Sequence, residues 1–142
     1  MRTNLKYVKS EKSRNGSEIV VKEYAEVNLA EILPLALLKK LPMVDAYMKS
    51  YADGEISDDI LHIVGTGIAK CSPEDVFNEK TGFYIAQSRA SVKVIKKYKK
   101  FIDNMLRLME TTFITPLEDI TTKLGDAELA LNDHINLDLI AE

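Results

Sequence analysis

The sequence is poor in the features that disulfide-stabilised, secreted or membrane-spanning proteins need. Its 142 residues include a single cysteine, Cys71, which excludes an intrachain disulfide. The polar opening stretch, MRTNLKYVKSEKSRNGSE, lacks the apolar centre of a secretion signal. No apolar run approaches the roughly 18 residues of a membrane span, because the nearest, LAEILPLALLKKL, is broken by Glu31 and Pro34. We therefore expect a cytoplasmic protein that has no membrane contact.

Signatures of catalysis and of cofactor binding are also missing. The Gly65–Gly67 segment lacks the third glycine of a dinucleotide fingerprint, since Lys70 stands in its place, and no phosphate-binding Gly-Lys-Ser/Thr sequence occurs. His62 and His134 have no further ligands at the spacing of a metal site. No residue pattern suggests a nucleophile with its base and oxyanion donors. The sequence therefore predicts a protein that is not an enzyme and carries no cofactor or metal.

Length and composition indicate one domain spanning residues 1–142. With 46% hydrophobic residues, such a chain buries about two thirds of the surface that it exposes when unfolded. The formal net charge of −3 argues against a protein that coats nucleic acid with its whole surface. A local basic patch remains compatible with that charge.

The first half of the sequence predicts a small sheet with a helical insert. Two β-prone runs flank Asn15-Gly16, which favours a hairpin with a type I′ turn. Asn28 is placed to cap a buried helix over LAEILPLALLKKL, and Pro42 to begin a second helix that ends at Asp53-Gly54, so the insert covers about residues 29–52.

A third strand is predicted for DDILHIVGTGIAKC. Its two glycines, Gly65 and Gly67, indicate a bulge or a close neighbour at this strand. Together with the hairpin, this strand would complete the small antiparallel sheet.

The second half of the sequence predicts helices. Ser72 and Pro73 form a helix-start signal, Phe77-Asn78 interrupts it, and Asn78 can cap a longer helix from near Glu79 to about Thr112. The acidic tail, about residues 116–142, is amphipathic, and we expect it either to form one or two short helices with a break at Gly125 or to stay partly mobile. The fold class is therefore α+β: a small antiparallel sheet, made of the N-terminal hairpin and the third strand, packed on a long C-terminal amphipathic helix.

The long helix is divided into a cationic and an apolar side. At about 100° per residue, one narrow stripe contains Gly82, Arg89, Lys93, Lys96, Lys100 and Arg107. The opposite side contains Val94, Tyr98, Phe101, Ile102, Met105, Leu108 and Met109, and we expect it to pack on the sheet. The stripe is either a solvated face or a binding site for an anion. Repulsion within the stripe and the helix-weakening Gly82 favour a close backbone or a compensating anion. The sequence leaves four sources for that anion open: the protein's own acidic tail, another protomer, a phosphate-bearing ligand or nucleic acid.

Residues 65–90, GTGIAKCSPEDVFNEKTGFYIAQSRA, resemble a motif of small proteins from phages and prophages of Gram-positive bacteria. The motif is a strand ending in G-x-A-x-C, then S/H-P-E-D-x-F, then G-x-x-x-A-x-x-R-A. In general layout, the chain is also similar to the Tad-type anti-Thoeris sponges, which sequester cyclic-ADP-ribose-like immune signals without cleaving them. The resemblance implies a phage protein that captures a small anionic nucleotide.

This resemblance implies roles for particular residues. Arg89, Lys93 and Lys96 would meet a pyrophosphate, and Phe77 or Tyr84 would stack on a base. The full set of candidate ligand-binding residues is Phe77, Asn78, Tyr84, Arg89, Lys93, Lys96, Lys100 and Arg107.

Structural alternatives remain open for these residues. Phe77 is better suited to pack beneath the turn than to stack on a base, and Arg89 is equally suited to pair with Glu74 or Asp75. The stripe is also suited to bind nucleic acid in an accessory or regulatory protein, and the acidic tail to imitate nucleic acid in an inhibitor of a host protein. The broad apolar face predicts a homodimer or a higher homo-oligomer.

Overall fold

The computed structural model describes residues 3–51, 54–70 and 78–141, with side chains as far as residue 136. It confirms the α+β class, because a four-stranded antiparallel sheet packs on a long C-terminal helix. The strand order is β1-β2-β4-β3. The strands are β1 (Leu5–Asn15), β2 (Glu18–Asn28), β3 (Glu55–Ser57) and β4 (Ile60–Lys70). The predicted third strand is thus β4, and the short β3 was not predicted.

The predicted hairpin is confirmed, but the type I′ turn at Asn15-Gly16 is wrong. Asn15 pairs with Glu18, so the turn residues are Gly16 and Ser17, and of these only Gly16 has a left-handed backbone, with φ of +62°. A type I′ turn needs positive φ at both central residues. The β3–β4 hairpin meets this requirement, because Asp58 and Asp59 have φ of 51° and 63°.

The insert between β2 and β4 contains short helices. Asn28 caps a 3₁₀ turn, where its side chain accepts a hydrogen bond of 3.1 Å from the Ala30 N–H. The single helix predicted over LAEILPLALLKKL is wrong, because Pro34 lacks an N–H and stands at the start of a new helix of four residues. Pro42 begins the next helix as predicted, although that helix ends before Asp53-Gly54. The helical segments are Leu29–Glu31, α1 (Leu35–Leu38) and α2 (Pro42–Lys49).

Two sets of contacts hold the insert. At the β3–β4 turn, the Asp59 carbonyl accepts a hydrogen bond of 2.9 Å from the Leu29 N–H, and the Asp59 carboxylate pairs with Lys39. Beside the sheet, the ring of Tyr47 stacks on Phe101 at 5.8 Å, and Tyr51 meets the same ring edge-on at 5.3 Å. Phe101 is fully buried, so the insert is part of the hydrophobic core.

The helical half of the chain begins at Glu79, as predicted. Its elements are α3 (Glu79–Met109), a π-helical segment (Glu110–Ile114) and α4 (Thr115–Ala141). The π segment ends two residues before Pro116, whose missing N–H interrupts the helical hydrogen bonds. The tail forms one helix of 27 residues that continues through Gly125, so the predicted break and the short helices are wrong. The start signal at Ser72 and Pro73 lies outside the described residues.

The chain divides into two compact units, Met1–Asp103 and Asn104–Glu142. The first contains the sheet, the insert and most of α3, and the second contains the end of α3, the π segment and α4. Whether the chain acts as one domain stays a prediction. Within the described part of the chain, no helix is long and apolar enough to cross a membrane.

Close contact between β4 and α3 forms the centre of the first unit. A Cβ added to Gly67 would overlap the Ala86 carbonyl oxygen, and one added to Gly65 would overlap that of Ala90. The glycines therefore admit the helix backbone, which confirms the predicted close neighbour.

Gly82 also faces the sheet, where an added Cβ would lie 2.6 Å from Cδ1 of Ile19. A core side chain, not a ligand or another backbone, accounts for this glycine. Because β-sheets generally twist, one line along a helix surface can face a sheet at its start and leave it further on. Gly82 is therefore not part of an exposed cationic face, contrary to the predicted stripe.

Candidate anion-binding groove

Strand β4 has an open edge over most of its length. Strand β3 pairs only with Ile60–His62, and no other strand in the described ranges pairs with residues 63–70 on that side. Two cations of α3 cap carbonyl groups of β4. Arg89 Nη1 donates to the Ile68 carbonyl at 2.6 Å, and Lys97 Nζ donates to the Val64 carbonyl at 2.7 Å. These contacts protect an edge that would otherwise be open to another strand.

The spacing of the two contacts matches the geometry of the helix and the strand. Eight helical residues separate Arg89 from Lys97, a rise of about 12 Å. Four extended residues separate Ile68 from Val64, about 13 Å. The spacing of cations at every fourth position of α3 therefore matches the spacing of alternate carbonyl groups of β4. Lys93 lies midway along this row of cations.

A groove lies beside Arg89 and Lys93, where α3 meets the edge of β4 at Ile68. Its volume is about 380 Å³, and its lining residues are Ile68, Ser88, Arg89, Val92, Lys93 and Lys96. Ile68 and Val92 are 37% and 49% exposed, so the groove presents apolar surface beside its three cations. Such a combination suits an organic anion with both an apolar and a charged part.

Three of the predicted ligand-binding residues, Arg89, Lys93 and Lys96, are thus brought together. Lys100 is exposed one helical turn beyond Lys96 and does not line the groove. Arg107 is exposed in the C-terminal unit.

Asn78 caps α3, as predicted, because its side chain accepts a hydrogen bond of 3.2 Å from the Thr81 N–H. Phe77, like the possible partners Glu74 and Asp75, lies outside the described residues. The predicted pairing of Arg89 with these acids is therefore not addressed by the geometry.

Tyr84 is 71% exposed and lines a different groove at the start of α3. In that groove, the Lys12 ammonium lies 5.5 Å from the centre of the Phe83 ring. Five residues along a helix correspond to about 140° of rotation, so Tyr84 and Arg89 project in different directions. The structure does not bring Tyr84 to the three cations.

A buried carboxylate lies beneath α3, and the sequence analysis missed it. Glu23 is 4% exposed, and its Oε1 accepts hydrogen bonds from Ser10 Oγ at 2.9 Å and from Gln87 Nε2 at 3.1 Å. These bonds connect β1, β2 and α3. A signal was present in the sequence, because Glu23 interrupts an inward-facing series of apolar residues in β2: Ile19, Val21, Ala25 and Val27. The role of Lys97 was missed as well, because no neighbouring residue in the sequence indicates that its side chain donates to the Val64 carbonyl.

The outer face of the sheet carries a smaller polar cluster. Lys9 Nζ lies 2.7 Å from the Glu11 carboxylate and 5.2 Å from the centre of the Tyr24 ring, and the Tyr24 hydroxyl donates to Glu11 at 3.0 Å. Hydrogen bonds from Lys9 and Tyr24 lower the pKa of Glu11. The same bonds raise the pKa values of Lys9 and Tyr24.

Among the described side chains, no three His, Cys, Asp or Glu residues converge in a way that would hold a metal ion. No family model matches the chain, and comparison with curated proteins and with solved structures gave no match. The geometry of the groove is therefore the observation that bears on function. The resemblance of residues 65–90 to phage proteins stays a hypothesis.

Proposed function

We propose that this protein binds a small phosphate-bearing organic anion in the groove beside Arg89 and holds it without converting it. The supporting observation is the arrangement of Arg89, Lys93 and Lys96 next to apolar surface from Ile68 and Val92. The Arg89 guanidinium uses one N–H on the Ile68 carbonyl, which fixes its orientation and leaves further donors for a ligand. An arginine held in this way loses less conformational entropy when it binds an anion.

A nucleotide fits this chemistry. Its phosphates would contact Arg89, Lys93 and Lys96, while its base would lie on Ile68 and Val92 and not on Tyr84. Following the resemblance of residues 65–90, the narrower proposal is a nucleotide immune signal, sequestered by a phage or prophage anti-defence protein. The protein would act as a homodimer or higher homo-oligomer.

Isothermal titration with a panel of cyclic nucleotides and cyclic ADP-ribose isomers tests this proposal. A double variant, K93A/K96A, should weaken binding at least tenfold, since each charge-assisted hydrogen bond contributes about 1.5–3 kcal/mol. K80A/K99A is the matched control, because it removes the same charge from α3 at residues that do not line the groove. The recovered ligand should be intact.

Three results would contradict the proposal. These are the absence of heat with every ligand in the panel, equal loss of binding in both double variants, and the release of a hydrolysed product.

A second candidate, nucleic-acid binding, is favoured by one observation. The exposed Lys100 lies one helical turn past the groove. The cations therefore extend further along α3 than a small ligand in the groove would reach. Binding of DNA or RNA through such cations would fall steeply with salt, whereas a small ligand in the groove should show a shallower dependence. Titration of a fluorescent oligonucleotide at several salt concentrations separates the two candidates.

A further inference from the structure

Helix α4 carries an exposed apolar stripe from Leu117 to Leu131. The stripe contains Leu117, Ile120, Leu124, Ala127 and Leu131, and all five residues are exposed. Leu117 and Leu124 are each 64% exposed, and Leu131 is 65% exposed. Monomeric proteins rarely leave such a continuous row of large apolar side chains in water. The stripe therefore has the character of a contact surface.

The spacing of the stripe is that of a coiled coil. Its residues alternate at steps of three and four, which places Leu117, Leu124 and Leu131 at positions a of a heptad and Ile120 and Ala127 at positions d. The acidic residues Glu118, Asp119, Asp126 and Asp133 occupy positions b and c, on the opposite side of the helix. A second helix can therefore pack on the stripe without meeting these four charges.

The charges that flank the stripe indicate the partner and its direction. Lys123 stands at a position g and Glu128 at the following position e. In a parallel, in-register pair, each g residue faces the partner's next e residue, so Lys123 of one copy would face Glu128 of the other. Two-fold symmetry makes this favourable pair twice.

An antiparallel pair lacks this match at every register. It would place g against g and e against e. The g positions within the stripe are Pro116, Lys123 and Ala130, none of them acidic. The e positions are Thr121, Glu128 and Ile135, none of them basic. Only the parallel arrangement satisfies both flanking charges.

We propose that α4 is the surface through which a second copy of this chain associates, as a parallel, in-register coiled coil. The inference rests on the self-association included in the proposed function, and it is independent of any ligand. Its tests therefore use the full-length protein without ligand, so that failure of anion binding and failure of this interface are distinguishable.

Sedimentation velocity of two leucine variants tests the surface. Leu124→Glu places a charge at a position a, whereas Leu129→Glu places the same charge at a position f on the outer side of the helix. The two leucines are equally exposed, at 64%, which makes the pair well matched. Wild-type protein and L129E should sediment as oligomers, and L124E as a monomer with an unchanged circular dichroism spectrum. A monomeric wild type, or an oligomeric L124E, would overturn the proposal.

Oxidative cross-linking tests the direction. With Cys71 replaced by serine, Leu117→Cys and Leu131→Cys should each form disulfide-linked dimers separately, because identical positions meet in a parallel pair. Cross-linking only in a mixture of the two variants would instead show an antiparallel pair.

Charge reversal provides an independent check. Lys123→Glu and Glu128→Lys should each weaken self-association, whereas mixing the two variants should restore it. Equal association in all of these samples would refute the assigned register.

Discussion

Arg89 donates a 2.6 Å hydrogen bond to the Ile68 carbonyl and, through the same side chain, lines the candidate groove. One arginine thus joins the long helix to the open edge of β4 and contributes a cation to the proposed site. The bond also fixes the guanidinium relative to Ile68, whose side chain forms part of the apolar surface.

Substitution of Arg89 should therefore affect both stability and binding. Arg89→Ala should lower the free energy of unfolding by about 1 kcal/mol and weaken anion binding at least tenfold. Arg89→Lys keeps the charge but not the planar arrangement of donors, so it should retain more stability than affinity. Urea unfolding and isothermal titration measure the two effects. Unchanged affinity in R89A would remove this residue from the site.

Gly67→Ala should destabilise the protein, because the new methyl group would overlap the Ala86 carbonyl oxygen in the backbone of α3. Over-packing of this kind costs about 1–3 kcal/mol or more. Gly125→Ala is the matched control, since an added Cβ there meets nothing within 4 Å. It should instead favour its helix by about 1 kcal/mol. Thermal and urea unfolding of both variants test this, and equal midpoints would contradict the close packing.

Phe101→Ala should release the insert from α3. Phe101 is fully buried and contacts the rings of Tyr47 and Tyr51, so its truncation should cost about 3–5 kcal/mol. Tyr84→Ala, on an exposed part of the same helix, should change stability by less than about 0.5 kcal/mol. Urea unfolding compares the two. Near-wild-type stability in F101A would show that the ring cluster is not part of the core.

The hydrogen bond between Gln87 and Glu23 should be measurable by a double-mutant cycle. Gln87→Leu removes one donor from a buried carboxylate and should cost about 1–3 kcal/mol. The double variant E23L/Q87L removes both polar groups and should cost less than the sum of the single variants. Strict additivity of the unfolding free energies would mean that the two side chains do not interact.

Glu11 should titrate below its ordinary carboxyl range in an NMR experiment, because Lys9 and Tyr24 donate to its ionised form. A lowered folded pKa stabilises the protein above the unfolded value of 4.5, and this contribution is lost as the pH falls through the folded pKa. Lys9→Ala should raise the Glu11 pKa toward the unfolded value. An unchanged Glu11 pKa in K9A would contradict the assigned cause.

Features that depend on neighbouring residues were predictable from the amino-acid sequence alone. Alternating β-prone runs predicted the hairpin, Asn78 predicted the start of α3, and Pro42 predicted the start of α2, because turns and helix caps are made within a few residues.

Features that depend on partners distant in the sequence became evident in the folded structure alone. Strand β3 exists because Glu55–Ser57 pair with β4. Gly82 faces Ile19 and not solvent, although it lies on the same line along α3 as Arg89. Arg89 and Lys97 acquired their partners because helix and strand spacings coincide along the open edge of β4. Periodicity predicts which residues share a side of one element, but it does not specify which part of another element that side meets.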